Sequence, residues 1–204
     1  MPLLTLNIQD AVLRFGLGRD AEPEEILSIG LRMTAGGSCA LFLIVAILLV
    51  FHIAPFDSAY CVFLVAMFVF TALSNVLTMY AKSQDHVMSL VVSGIGNTLI
   101  MSVSAILLLV VAKAGVVGYM ASMILGCLFS TVYLFFVCKA WRGLSVKVQS
   151  GLLGSMIALS APLVANSLAW WINDVSDRYV VTFVCGAAAN GIYAVASVSY
   201  THLT

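Results

Sequence analysis

Residues 87–112 read VMSLVVSGIGNTLIMSVSAILLLVVA, from Val87 to Ala112, without one charged side chain. A helix needs about 20 apolar residues to cross the hydrocarbon core of a bilayer, and this stretch exceeds that. Its few polar groups are hydroxyls and the amide of Asn97, which a helix can satisfy internally or against a neighbour. The stretch therefore reads as a membrane-spanning helix. Working outward from it, the same pattern recurs at Thr34–Ile53, Ser58–Ala81 and Val116–Val137. A fifth apolar run goes from Gly151 past Trp170 and Trp171 toward Cys185. Short polar breaks separate the runs: Pro55 and Asp57, Lys82–Asp85, Lys113–Gly115, and a longer basic stretch, Lys139–Ser150. Gly186–Gly191 reads as a turn, and Ile192–Ser197 as the start of a sixth span.

Composition agrees with that reading. Of 204 residues, 62% are apolar and only 9% charged, with a formal net charge of zero. Soluble domains carry about a quarter charged residues. The fold class expected is an all-α integral membrane protein, a polytopic helix bundle. Alternating ten-residue segments of the kind that build a barrel are absent. A neutral chain lacks the basic footprint of a nucleic-acid binder. The five cysteines (Cys39, Cys61, Cys127, Cys138 and Cys185) lie in or beside apolar runs without close pairing, so they read as buried thiols rather than metal ligands or disulfides. The sequence contains no phosphate-binding loop G-x-x-x-x-G-K-[ST], no H-E-x-x-H and no G-x-S-x-G. His52 and His86 flank spans and read as interfacial. The loops are too short for a catalytic domain. The expectation is a protein that is not an enzyme and uses no cofactor and no metal.

The nine basic residues are distributed unevenly. Arg14, Arg19, Arg32, Lys82, Lys139, Arg142 and Lys147 fall on one side of the alternating spans, against Lys113 and Arg178 on the other. Positive charge is retained on the cytoplasmic side. The linker after Gly18 and the 139–150 loop are therefore read as cytoplasmic, with Trp141 as an interfacial anchor, and the 54–57 and 113–115 loops as facing outward. Residues 1–33 read as an apolar helical end plus a cytoplasmic linker, in which Pro23, Glu24 and Glu25 mark a short helix start. Residues 34–150 hold four spans, and 151–197 the fifth span and the start of the next.

Polar residues inside these spans single out three faces. Gly118, Ser122, Gly126 and Ser130 repeat every four residues, a stripe that lets backbones approach closely. Asn75 and Asn97 are candidates for a cavity lining or for hydrogen bonds between helices. The fifth span, SAPLVANSLAWWINDVSDRYVV from Ser160 to Val181, is the most unusual. At 100° per residue Pro162, Asn166, Trp170, Asn173 and Asp177 share one face. A proline, two amides, an indole and a carboxylate in one stripe suit a polar cavity better than lipid. Asp174 and Arg178, four apart beside that stripe, are a candidate ion pair, with Asp174 a candidate for ion coupling and Pro162 a candidate hinge. The competing reading ends the helix near Ile172 and makes 174–178 a plain outer loop.

This segment, with its proline (Pro162), Asn166–Leu168, Trp170–Trp171, Asp177–Tyr179, Gly186 and Gly191–Tyr193, resembles the start of the second half of bacterial oligosaccharide flippases of the multidrug/oligosaccharidyl-lipid/polysaccharide exporter superfamily. The segment LLTLNIQDAVLRFGLGRDAEPEEILSIGL resembles the end of that family's second helix and the following cytoplasmic loop. The resemblance covers about residues 3–197. It implies a fragment of a two-half transporter of twelve to fourteen helices in the bacterial cytoplasmic (inner) membrane, with helices three to six here followed by helix seven. It also implies a function: flipping undecaprenyl-diphosphate-linked oligosaccharide repeat units for surface polysaccharides such as the O-antigen of lipopolysaccharide. The implied partners are that lipid-linked substrate, membrane lipid and polysaccharide polymerase machinery. Arg178 becomes the candidate contact for the diphosphate, with Asp177 beside it. After Ala196 the sequence departs from the family pattern, and residues 198–204 read as an artefactual tail similar to translated sequencing adapter. The alternatives are a multidrug cation exporter of the same superfamily, a peptidoglycan-precursor flippase, or a membrane scaffold that transports nothing.

Overall fold

A computed structural model describes residues 2–18, 22–51, 58–144 and 150–193. Two short helices, α1 (Pro2–Thr5) and α2 (Ile8–Gly18), precede five long ones. These are α3 (Pro23–Val50), α4 (Ser58–Ser83), α5 (Val87–Ile106), α6 (Gly115–Val137) and α8 (Ser150–Cys185), with the single turn α7 (Trp141–Leu144) after α6. Among the described residues five helices are long and apolar enough to cross a membrane, in the places the apolar runs indicate. The outer loop around Pro55 and Asp57, His52, Arg19, Lys147 and the 198–204 tail lie outside the described residues.

Three local details depart from the sequence expectations. The apolar N-terminal stretch is not one continuous helix. Leu6 and Asn7 take φ of +50° and +49°, a left-handed conformation that L-residues seldom adopt, and they separate α1 from α2. The helix starting at Pro23 is not a short separate element either. Pro23 occupies its first turn with Glu24 and Glu25, where acidic groups oppose the positive end of the helix dipole, and the same helix continues through the apolar run to Val50. Hydroxyls are absorbed along the way: Thr34 donates to the Gly30 carbonyl and Ser38 to that of Thr34, both at 2.8 Å. Third, the break after α8 is shorter than the turn read at 186–191. Gly186 alone leaves the helix, at φ +85°, and residues 187–193 are helical again.

The tight turn between α5 and α6 is built on a π-helical segment, Leu107–Val111, closed by Ala112 and Ala114 N–H groups donating to Leu107 and Leu108 at 2.9 Å. Lys113 and Gly115 then both take positive φ, which reverses the chain in three residues.

The chain divides into two compact units, Met1–Ala161 and Pro162–Thr204. In the first, α6 packs on both α4 and α5, and α2 packs on α3 and α4. The buried apolar core gathers Ile8 and Val12 of α2, Ile26, Leu27 and Ile29 of α3, Val76 and Leu77 of α4, Leu134 of α6 and Met156 at the start of α8. The second half of α3 (Phe42, Leu43, Ile47) and one side of α5 (Val91, Ile95, Leu99, Val103) are exposed. Lipid is the natural solvent for such surfaces.

Hydroxyl groups tie α4, α5 and α6 together. Ser130 Oγ lies 2.6 Å from Ser93 Oγ and accepts from Ser74 Oγ at 3.1 Å. Thr131 Oγ1 reaches the Phe70 carbonyl at 3.3 Å. The small-residue stripe of α6 is buried throughout. Gly126 is required at its place because a Cβ there would meet the side-chain and backbone oxygens of Asn97. Gly37 plays the same part in α3, where the Leu4 carbonyl of α1 occupies the space a side chain would need.

Candidate functional site

The polar face of α8 is one unbroken helix surface. The helix continues through Pro162 and past Ile172 to Cys185, so residues 174–178 are helical and the plain-loop alternative is excluded. Pro162 lacks an N–H, which leaves the carbonyl one turn earlier without its usual donor and weakens the ladder there. It is exposed, and the division between the two compact units falls immediately before it.

Within the second unit the site builds up turn by turn. Asn166, Trp170 and Asn173 lie together with Ala169 along a shallow depression of about 310 Å³. All are exposed, Trp170 to 69%. Asp177 follows one turn later on the same face and is also exposed. Beside the stripe, Arg178 Nη2 lies 3.5 Å from Asp174 Oδ2. Thr182 adds no polar demand of its own, since its hydroxyl donates to the Arg178 carbonyl at 2.8 Å. The arrangement offers amide donors and acceptors, an indole plane and one net negative charge: Asp174 is neutralised by Arg178, and Asp177 is not part of that pair. Such a surface can hydrogen-bond sugar hydroxyls and stack on a sugar ring.

Asn75 and Asn97 belong to the first unit, on α4 and α5, and both are half-buried. Asn97 sits at the α5–α6 contact, against Gly126. Among the described residues no group of three or more His, Cys, Asp and Glu side chains is placed to hold a metal ion. All five cysteines are free thiols, but none is buried as the apolar runs suggested: Cys39 and Cys185 are exposed and Cys61, Cys127 and Cys138 half-buried, because apolar helix faces turned to lipid are not covered by protein.

A second polar feature was not legible in the sequence. The start of α3, the end of α4 and the end of α6 meet around a cavity of about 310 Å³ walled by Glu22, Glu24, Tyr80, Cys138, Lys139 and Arg142. Arg142 Nη1 is 3.9 Å from Glu24 Oε1. Burial pushes the Cys138 thiol above the ordinary thiol range, since a thiolate there would lose hydration. Glu24 and Arg142 are far apart in the chain, and only the packing of α7 on α3 brings them together.

The sequence pattern of a family described as polysaccharide biosynthesis protein matches residues 19–204, which is most of the chain. This chain belongs to that family. No curated protein and no solved structure matches it. With five helices of spanning length among the described residues, it is a multi-pass membrane protein of a polysaccharide-biosynthesis family.

Proposed function

We propose that this chain forms part of a flippase that moves undecaprenyl-diphosphate-linked oligosaccharide units from the inner to the outer leaflet of the bacterial inner membrane. The cargo feeds surface polysaccharides of the O-antigen type. On this reading α3–α6 are the last four helices of an N-terminal half of a twelve-to-fourteen-helix transporter, and α8 opens the C-terminal half. Transport of this kind needs no covalent chemistry. Substrate commonly binds at the interface of two repeats and is exposed to each side in turn as the halves rock.

The observation that carries the reading is the continuous polar face of α8 in a chain that is otherwise strongly apolar. Asn166, Trp170 and Asn173 form one exposed patch. Amides facing hydrocarbon leave hydrogen bonds unmade, whereas amides facing a wet cleft bind sugar hydroxyls. A helix of 36 residues has a contour of roughly 54 Å against a core of about 30 Å. The end bearing Asp177 and Arg178 then reaches the far boundary of the membrane, where an arginine can meet a diphosphate without full desolvation. Asp177 and Asp174 remain the candidates for coupling to an ion.

The test is made in the complete transporter that contains this chain. Arg178→Ala and the Asn166→Ala/Asn173→Ala double variant are expected to reduce surface glycan strongly at unchanged membrane level. Full glycan export by both variants refutes the site. Export of organic cations in place of glycan by the native protein supports a multidrug exporter instead.

A further inference from the structure

We infer that the charged cavity between α3, α4 and α6 is a binding site for a zwitterionic phospholipid headgroup, one that joins a phosphodiester to a primary ammonium. It is separate from the α8 face, and its occupancy does not depend on what that face transports.

Three observations support the inference. The first is location. The cavity opens where the start of α3 and the ends of α4 and α6 converge. Trp141 directly precedes Arg142 of the lining in the chain, its ring 6.2 Å from Phe135 and 6.1 Å from Phe136. An indole held against the last apolar turn of a span marks the depth of the headgroups.

The second is charge. Two carboxylates, Glu22 and Glu24, and two cations, Lys139 and Arg142, line one space of about 310 Å³. The Arg142–Glu24 pair is long, at 3.9 Å, and about half exposed on both sides. A pair of this kind contributes little by itself, and Arg142 makes a further interaction besides it. Among the described residues Glu22 and Lys139 make no ion pair. A purely anionic guest would meet the carboxylates, and a purely cationic guest would meet Lys139 and Arg142. A guest carrying one charge of each sign satisfies both walls.

The third is the end of α3 itself. Glu22 caps the helix through its backbone but makes no side-chain cap hydrogen bond. Its carboxylate is therefore available to an ammonium, while Lys139 and Arg142 offer N–H donors to the phosphate oxygens. The ammonium is then left for the carboxylates, and Tyr80, whose body is buried, supplies a hydroxyl to the wall.

A soluble zwitterion of the same chemistry would fit the same groups, so the experiment separates the two sources. The complete transporter that contains this chain is purified in detergent and incubated with phosphatidylethanolamine, phosphatidylglycerol or phosphatidylcholine, and retained lipid is counted by native mass spectrometry. Soluble glycerophosphoethanolamine serves as competitor. Phosphatidylethanolamine is expected to be retained about fivefold over either other lipid, the worth of a charge-assisted hydrogen bond at a half-exposed site. Glu22→Gln, and Glu22→Gln with Glu24→Gln, should erase the preference over phosphatidylglycerol while helicity by circular dichroism stays unchanged. Lys139→Gln should weaken retention of both phosphatidylethanolamine and phosphatidylglycerol. Equal retention of the three lipids by the native chain overturns the proposal, as does a preference that survives both glutamate changes. Displacement by equimolar glycerophosphoethanolamine overturns the lipid assignment.

Discussion

Asn97 of α5 sits where a side chain on residue 126 of α6 would have to go. Its side-chain and backbone oxygens both crowd the space a Cβ on Gly126 would occupy. Asn97 and Gly126 thus set the separation of the two helices. Helix pairs in lipid associate by close packing and hydrogen bonds rather than by exclusion of water.

Gly126→Val is expected to force α5 from α6, with a loss of about 1–3 kcal/mol, the usual range for overpacking a filled contact. The check is the thermal melting point of the purified chain, which should fall for Gly126→Val and stay near the native value for Gly94→Ala, where a Cβ meets open space.

Ser130→Ala should be milder. It removes the bond accepted from Ser74 and the one shared with Ser93, and hydrogen bonds between helices in membranes average about 0.6 kcal/mol. The expected loss is about 1 kcal/mol, smaller than that of Gly126→Val. A steric trap or denaturant titration of both variants side by side would show the order, and a reversed order would contradict the packing argument.

The Asp174–Arg178 pair is exposed on both sides and one helical turn apart. Pairs of this geometry contribute about 0.3–0.5 kcal/mol in water. Asp174→Asn should therefore leave membrane insertion and helicity intact while unpairing Arg178. If Asp174 couples transport to an ion, export of surface glycan by the complete transporter should lose its dependence on that ion. Unchanged ion dependence with normal protein level would remove Asp174 from coupling.

The half-buried Cys138 thiol has a raised folded-state pKa, so the folded chain holds its proton at a pH where the unfolded chain has released it. Its contribution to stability is complete below the ordinary thiol pKa and disappears as pH rises through the raised one. Denaturation midpoints taken at increasing alkaline pH should fall, and Cys138→Ala should fall less. Maleimide labelling of Cys138 at neutral pH should also be slow until the chain is unfolded.

Much of the architecture was legible from residues 34–185, because a membrane imposes its own period. Uncharged runs of about 20 residues have few alternatives to a spanning helix. Val87, Val137 and Cys185 bound helices in the structure as they bound apolar runs in the sequence. The polar face of α8 was legible too, since the positions of Asn166, Trp170 and Asn173 depend only on helical geometry, and α8 is a helix there. Local conformational strain was less accessible. Nothing in PLLTLNIQD announces left-handed Leu6 and Asn7, or that the Leu4 carbonyl before them lies against Gly37.

Side-chain partners across helices depended on tertiary structure alone. Hydropathy reports the solvent a residue prefers and carries no information on which helix lies beside it. Ser74, Ser93 and Ser130 were three scattered hydroxyls until α4, α5 and α6 brought them within 3.1 Å of one another's chain of bonds. Glu24 and Arg142 were two loop charges on the same side of the membrane until α7 folded against α3 and enclosed a cavity between them. Chain order alone determined the spans and the polar stripe, because both are properties of a single helix in a known solvent. The seam and the charged cavity belong to several helices at once, and only packing could place them.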